Sequence, residues 1–341
     1  MFNAEIAMDL GTANSIVIHN DKIVIDEPSI VALDKTTNKI VAVGKRAQQM
    51  QGRENRNIET IRPLNGGVIA DFEMAQHLIR EFIKMTGATR SVFSPALRMV
   101  ICIPSGITNV EERAVRESAE QAGAKEIRMI HEPMAAAIGI GIDVLEPVGH
   151  MVVDIGGGTA EIAVISLGGI VCNKSIRVAG DEFNDNICEY MKKQHNMIIG
   201  ERTAERVKME IGSAISELEN PPDDFPTLGR DIVSGIPIER YVNYKEIAHA
   251  LDKSITSIES AVMEALAETP PELAADIYRH GIYLTGGSSQ VKFLADRIHK
   301  GTGLRVNMSE NPLTSVALGL AKIINEKNYK SVAYAIEGMS K

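Results

Sequence analysis

Two aspartates, Asp9 and Asp154, each close an apolar run and each stand directly before a glycine turn, in Asp9-Leu10-Gly11-Thr12 and in Asp154-Ile155-Gly156 through Thr159. A carboxylate at the end of a buried strand is costly unless a cation or hydrogen-bond donors meet it. A hydrated magnesium ion meets that need, because Mg²⁺ keeps most of its waters and is held by a few carboxylates beside phosphate oxygens. The turns themselves, Gly11-Thr12-Ala13-Asn14 and Gly156-Gly157-Gly158-Thr159, lack the Cβ atoms that would block a close approach and so offer backbone N–H groups to an anion. An acidic strand end with a glycine turn, present twice, suits a metal-chelated polyphosphate.

A third glycine turn, Gly286-Gly287-Ser288, follows the apolar run ending at Thr285 and lets an adenine and ribose lie close to backbone. Glu205 and Lys208 are three apart on one helical face. They could hold ribose hydroxyls and flank the base, and the same spacing also suits a solvated ion pair. Glu132 precedes Pro133 at the opening of a helix between the first two turns. Such a carboxylate could orient a water in line with a γ-phosphate, and the helix dipole alone also favours an acid there.

The elements that must carry these residues are short β-branched runs alternating with helical stretches. Residues 6–10, 15–19, 29–33 and 39–43 read as strands, and 72–84 as a helix capped by Asp71. Residues 98–103 form a buried strand ended by Pro104, and Thr108 with Glu111 is a capping box for a helix reaching Gly123. After strand 126–130 and helix 134–140 the pattern restarts with strands 150–155, 161–166 and 170–178. Helix 244–268, strand 282–285 and helices 291–302 and 313–325 complete the chain. The two acidic turns lie about one domain length apart, each followed by a second strand, so a duplicated α/β fold is expected.

Composition bounds the rest. The 341 residues are 44% hydrophobic and 24% charged, enough for two domains with real cores. The net charge is −9 and no block of five Lys or Arg occurs, so nucleic acid is not an expected partner. Cys102, Cys172 and Cys188 show no metal-ligand spacing and are expected as buried reduced thiols. With no signal-like start and no apolar run of membrane-spanning length, a cytoplasmic protein is expected, one still able to lie on a membrane.

In order along the chain, DLGTANS, CIPSGIT, DIGGGTAE, LTGGSS and PLTSVALG resemble the phosphate-one, connect-one, phosphate-two, adenosine and connect-two segments of the actin, heat-shock chaperone and sugar kinase ATPase superfamily. Within it, IRPLNGGVIADFE, HEPMAAAIGIG, MVVDIGGGTAEIAVISLGGIV, AERVKMEIG and ETPPELAADI are similar to segments of the MreB family of bacterial actins. The resemblance implies an α/β actin-like ATPase fold of two duplicated domains around a nucleotide cleft, each with a smaller insert. Subdomain IA would be 1–30, 77–147 and 312–341, and IB 31–76. Subdomain IIA would be 148–180 and 243–311, and IIB 181–242.

The resemblance further implies ATP and Mg²⁺ as cofactors, slow hydrolysis coupled to assembly into antiparallel double filaments, and a position on the inner membrane face guiding lateral wall synthesis. A RodZ-like adaptor and cell-wall elongation proteins would be partners. Glu132 would position or polarise the attacking water, with Thr159 as the second catalytic candidate. The motif usually carries a second threonine where this chain has Ala160, so slowed hydrolysis is expected. Val92 and Phe93, at an apolar loop tip flanked by Arg90 and Arg98, match the family's membrane-inserting loop. A small-molecule kinase on the same ATPase fold is the alternative.

Overall fold

Residues 5–20, 22–87 and 97–334 are described by a computed structural model. Alternation of apolar residues gives the first domain an antiparallel meander, Glu5–Leu10, Asn14–His19 and Lys22–Pro28. Strands Leu97–Ile103 and Ala124–His131 then add in parallel beyond Glu5–Leu10, each after a helical crossover. The second domain repeats this strand for strand. Its meander is His150–Ile155, Ala160–Ser166 and Gly169–Ile176, and Ile282–Thr285 and Val306–Met308 add in parallel beyond His150–Ile155. Two five-stranded sheets of one topology are thus the physical form of the duplication.

The domains are joined through an apolar layer. One face of the first sheet contributes Ala7, Ile16, Ile18 and Val100, and one face of the second contributes Val152, Ala163 and Ile165. Between them lie helices Glu132–Gly139 and Ser315–Asn325, both rich in small residues. These helices touch backbone to backbone. A Cβ on Gly139 would lie 1.8 Å from the Ser315 carbonyl oxygen, and one on Gly319 would lie 1.8 Å from that of Ala135. Only glycine permits so close a crossing.

Two smaller three-stranded sheets stand apart. One holds Val31–Asp34, Lys39–Val43 and Ile58–Ile61, and the other Met197–Ile198, Phe225–Asp231 and Pro237–Val242. Asp71 caps helix Phe72–Thr86 by accepting from the Met74 N–H at 3.0 Å, and Thr108 with Glu111 forms the expected capping box. Several expectations change. Strand Lys22–Pro28 extends the opening meander beyond the two strands read there, and the helix expected from 291 starts only at Leu294, because Phe293 takes a left-handed φ of 62°. Cys102 is buried as expected, whereas Cys172 and Cys188 are only partly so.

Candidate functional site

The two acidic hairpins meet at their turns. Asp9 pairs with Cys102 on one side and Ile16 on the other, and Asp154 in the same place pairs with Thr285 and Glu161. Both carboxyls therefore emerge at strand ends on the side where the domains face each other. The turns are in contact: a Cβ on Gly157 would lie 2.6 Å from the Ala13 Cβ, and one on Gly158 would lie 2.5 Å from the Thr12 hydroxyl. The Gly156 N–H donates to the Thr159 carbonyl at 2.9 Å, which closes the second turn. The Gly156 carbonyl accepts from the Ser288 hydroxyl at 2.7 Å and fastens the third glycine turn to it.

Two adjoining cavities result. The smaller, about 180 Å³, is lined by Asp9, Gly11, Thr12, Glu132, Asp154, Gly158, Thr159 and Gly286. The larger, about 400 Å³, is lined by Gly180, Asp181, Glu205, Lys208 and Ser288. Ala13, Asn14, Gly156, Gly157 and Gly287 line both, so the two are one continuous space. Every candidate read from the sequence for nucleotide, metal or water lies on its wall.

Electrostatics divide the space into an acidic end and a neutralised end. Burial pushes Asp9 up to about 7. Asp154 also rises to about 7, through burial first and then the neighbouring Asp9 and Glu161. Glu132 is held well above the usual carboxylate range by burial, then by Glu161, Asp9 and Asp154. Acids so placed are waiting for positive charge. Among the described residues no group of three or more His, Cys, Asp and Glu could cage a metal alone. The two buried carboxylates at this end are a donor set able to anchor a cation through its water shell.

At the other end Lys208 is buried, with its ammonium donating to the Gly180 carbonyl at 3.2 Å and to Glu205 at 2.9 Å. Glu205 also accepts from the Asn184 amide at 2.7 Å. Lys208 is therefore a fixed piece of the wall, while the Glu205 side chain remains partly open to solvent. Asp181, absent from the sequence reading, rises to about 6 because burial outweighs the attraction of Arg62. Gly67 was missed as well: its N–H donates to the Thr12 hydroxyl at 2.8 Å, so the Leu64–Ile69 hairpin closes over the first turn. Its signal, Asn65-Gly66-Gly67, is that of a tight hairpin.

One expectation is corrected. Ala160 is fully buried in the second domain's core with Ile155 and Ile162, on the face of the sheet turned away from the cleft. A threonine hydroxyl there would point into packed apolar side chains, so Ala160 does not open a gap beside a water, and Thr159 is the threonine on the wall. The apolar tip Val92 and Phe93 lies outside the described residues.

A family model for MreB/Mbl proteins matches residues 3–332. The chain belongs to the MreB/Mbl family. The cell shape-determining protein MreB of Escherichia coli strain K12 is 45% identical to it over 332 residues, covering 95% of this chain and 94% of that protein. The crystal structure of MreB5 of Spiroplasma citri bound to ADP superposes with a TM-score of 0.90 at 36% identity, covering 97% of this chain and 98% of that one. A MamK double helical filament structure, 20% identical over 95% and 99% of the two chains, shares the fold with a TM-score of 0.79. This MreB/Mbl chain therefore has the actin-like α/β fold expected from its motifs.

Proposed function

We propose that the chain is an ATP-dependent, filament-forming bacterial actin that works in cell-shape determination. The observation that carries this is the meeting of two acidic glycine hairpins, with Asp9 and Asp154 both pushed up to about 7, at one end of a continuous interdomain cavity. The relatives support it: one is named cell shape-determining, and another was crystallised with ADP.

In this reading the backbone of residues 11–14 and 156–159 cradles the phosphates, while Gly286, Gly287 and Ser288 border the adenosine. Glu205 and Lys208 hold the ribose and flank the base. Asp9 and Asp154 would hold magnesium through its water shell, and when bound it supplies charge neutralisation at the β- and γ-phosphates. Glu132 positions or polarises a water for attack on the γ-phosphorus as the bond to the β-phosphate oxygen breaks, giving ADP and phosphate with the water's protons on the released phosphate. Thr159 borders that water.

No helix among the described residues is long and apolar enough to cross a membrane. We infer that Val92 and Phe93 insert into the inner membrane face, each contributing roughly 1.5 to 3 kcal/mol. That is marginal for one chain and sufficient for a filament presenting many copies. Antiparallel double filaments there, with a RodZ-like adaptor and cell-wall elongation proteins, would guide lateral wall synthesis and hold rod shape. Pelleting with Mg-ATP, followed by electron microscopy of the pellet, tests the reading. Filaments are expected. Phosphate transfer to a small acceptor without sedimentation would favour the kinase alternative and refute it.

A further inference from the structure

The duplicated sheets differ at one register position that nucleotide binding does not use. Opposite Asp9 stands Ile16, packed into the interdomain apolar layer, but opposite Asp154 stands Glu161, which is only 1% exposed. A buried carboxyl at a position where the sister domain keeps an aliphatic side chain is destabilising unless its oxygens are satisfied. They are. Glu161 accepts from the Ser105 N–H at 2.9 Å, from the Ser105 hydroxyl and from the Ser175 hydroxyl. The Asn173 amide in turn donates to the Ser105 hydroxyl at 3.1 Å.

Ser105 belongs to the first domain, in the turn after strand Leu97–Ile103, whereas Glu161, Asn173 and Ser175 belong to the second. Glu161 is therefore a polar tie between domains whose other central contacts are apolar. The tied turn reaches the catalytic end. A Cβ on Gly67 would lie 2.8 Å from the Pro104 ring and 2.9 Å from the Thr159 methyl, so Pro104, Thr159 and the Leu64–Ile69 hairpin pack around one point. Glu132 feels Glu161 more strongly than it feels either aspartate.

We propose that Glu161 is a positioning residue for hydrolysis: it ties the Ser105 turn of the first domain to the second domain, and so fixes Thr159 and Glu132 against the phosphate end of the cleft. This rests on the reading of the chain as an ATPase. It concerns turnover more than binding, because Glu161 lines neither cavity.

The test uses the full chain with Mg-ATP, measuring single-turnover phosphate release and, separately, nucleotide affinity by titration. Glu161→Gln keeps size and one acceptor but presents an amide donor to the serines. It is expected to slow turnover at least about tenfold while affinity stays within about twofold. Ser175→Ala, which removes one arm of the tie, should fall between Glu161→Gln and wild type. A purely structural role would lower affinity and turnover together, and that result, or an unchanged rate in Glu161→Gln, overturns the inference while leaving the ATPase reading intact. Should Glu161→Gln not fold, the Ser105→Ala, Ser175→Ala double variant decides, and a wild-type rate there overturns it. A wild-type chain that binds Mg-ATP and never hydrolyses it overturns the hydrolysis reading and this inference together.

Discussion

Emptying the cleft should make the protein less stable as pH rises, the reverse of the usual carboxylate effect. Asp9 and Asp154 sit at about 7 in the folded chain against an ordinary 3.8. A folded-state value above the unfolded one contributes stability that is full below the unfolded value and is lost as pH climbs through the folded one. The interval from 3.8 to about 7 corresponds to about 4 kcal/mol for each carboxyl. Part of the Asp154 value comes from Asp9 itself, so the pair yields less than twice that figure. For a chain of this size, 4 kcal/mol is about 6 °C of melting temperature. Groups held low by hydrogen bonds, such as Asp231 and Glu111, work in the opposite direction but only at more acid pH. Melting the nucleotide-free protein between about pH 5 and pH 8 should therefore show a fall of several degrees. Asp9→Asn with Asp154→Asn should make the fall shallower, leaving the part due to Glu132 and Asp181, and saturating Mg-ATP should reduce the fall in wild type. A flat nucleotide-free profile, or a slope in the double variant as steep as in wild type, would refute this account of the acidic pair.

Gly319→Ala places a methyl 1.8 Å from the Ala135 carbonyl oxygen, where neither helix backbone can yield. A loss of about 3 kcal/mol or more is expected in denaturant melts, and an unchanged midpoint would contradict the close crossing. Arg62 pairs with Glu201 at 2.5 Å and with Asp181 at 3.8 Å, linking segment 31–76 to segment 181–242 above the larger cavity. As the pair is partly exposed it is worth about 1 kcal/mol at most. Arg62→Gln should speed release of a fluorescent nucleotide by roughly two- to fivefold in stopped flow, which an unaltered off-rate would disprove. Phe93→Ser should abolish liposome co-sedimentation while filaments still form in solution; persistent co-sedimentation would remove that loop as the anchor.

The acidic hairpins were legible because their signal is local: an aspartate, an aliphatic residue and a glycine turn in succession at each strand end. Strand periodicity also located some strands, since Lys39–Val43, His150–Ile155 and Ile282–Thr285 have the bounds read from the sequence, but it gave none of the sheet of Met197–Ile198, Phe225–Asp231 and Pro237–Val242. The same alternation contained the answer for Ala160. Once Asp154 and Glu161 share the face turned to the first domain, their neighbour Ala160 must point to the other. What could not be read was distant pairing. Glu161 finds Ser105 from another domain, and Arg62 finds Glu201 across the cleft, with nothing in either local sequence to announce it. Phe293 was opaque for a different reason, because a bulky residue at a left-handed φ of 62° runs against its own preference.

Isothermal titration of the nucleotide-free chain with Mg-ATP bears most directly on the cleft. One site per chain is expected, with affinity strongly reduced by chelating the magnesium and by replacing Asp9 and Asp154 together with asparagine. Absence of binding in wild type, or undiminished magnesium-dependent binding in the double variant, would contradict a site built from those two hairpins.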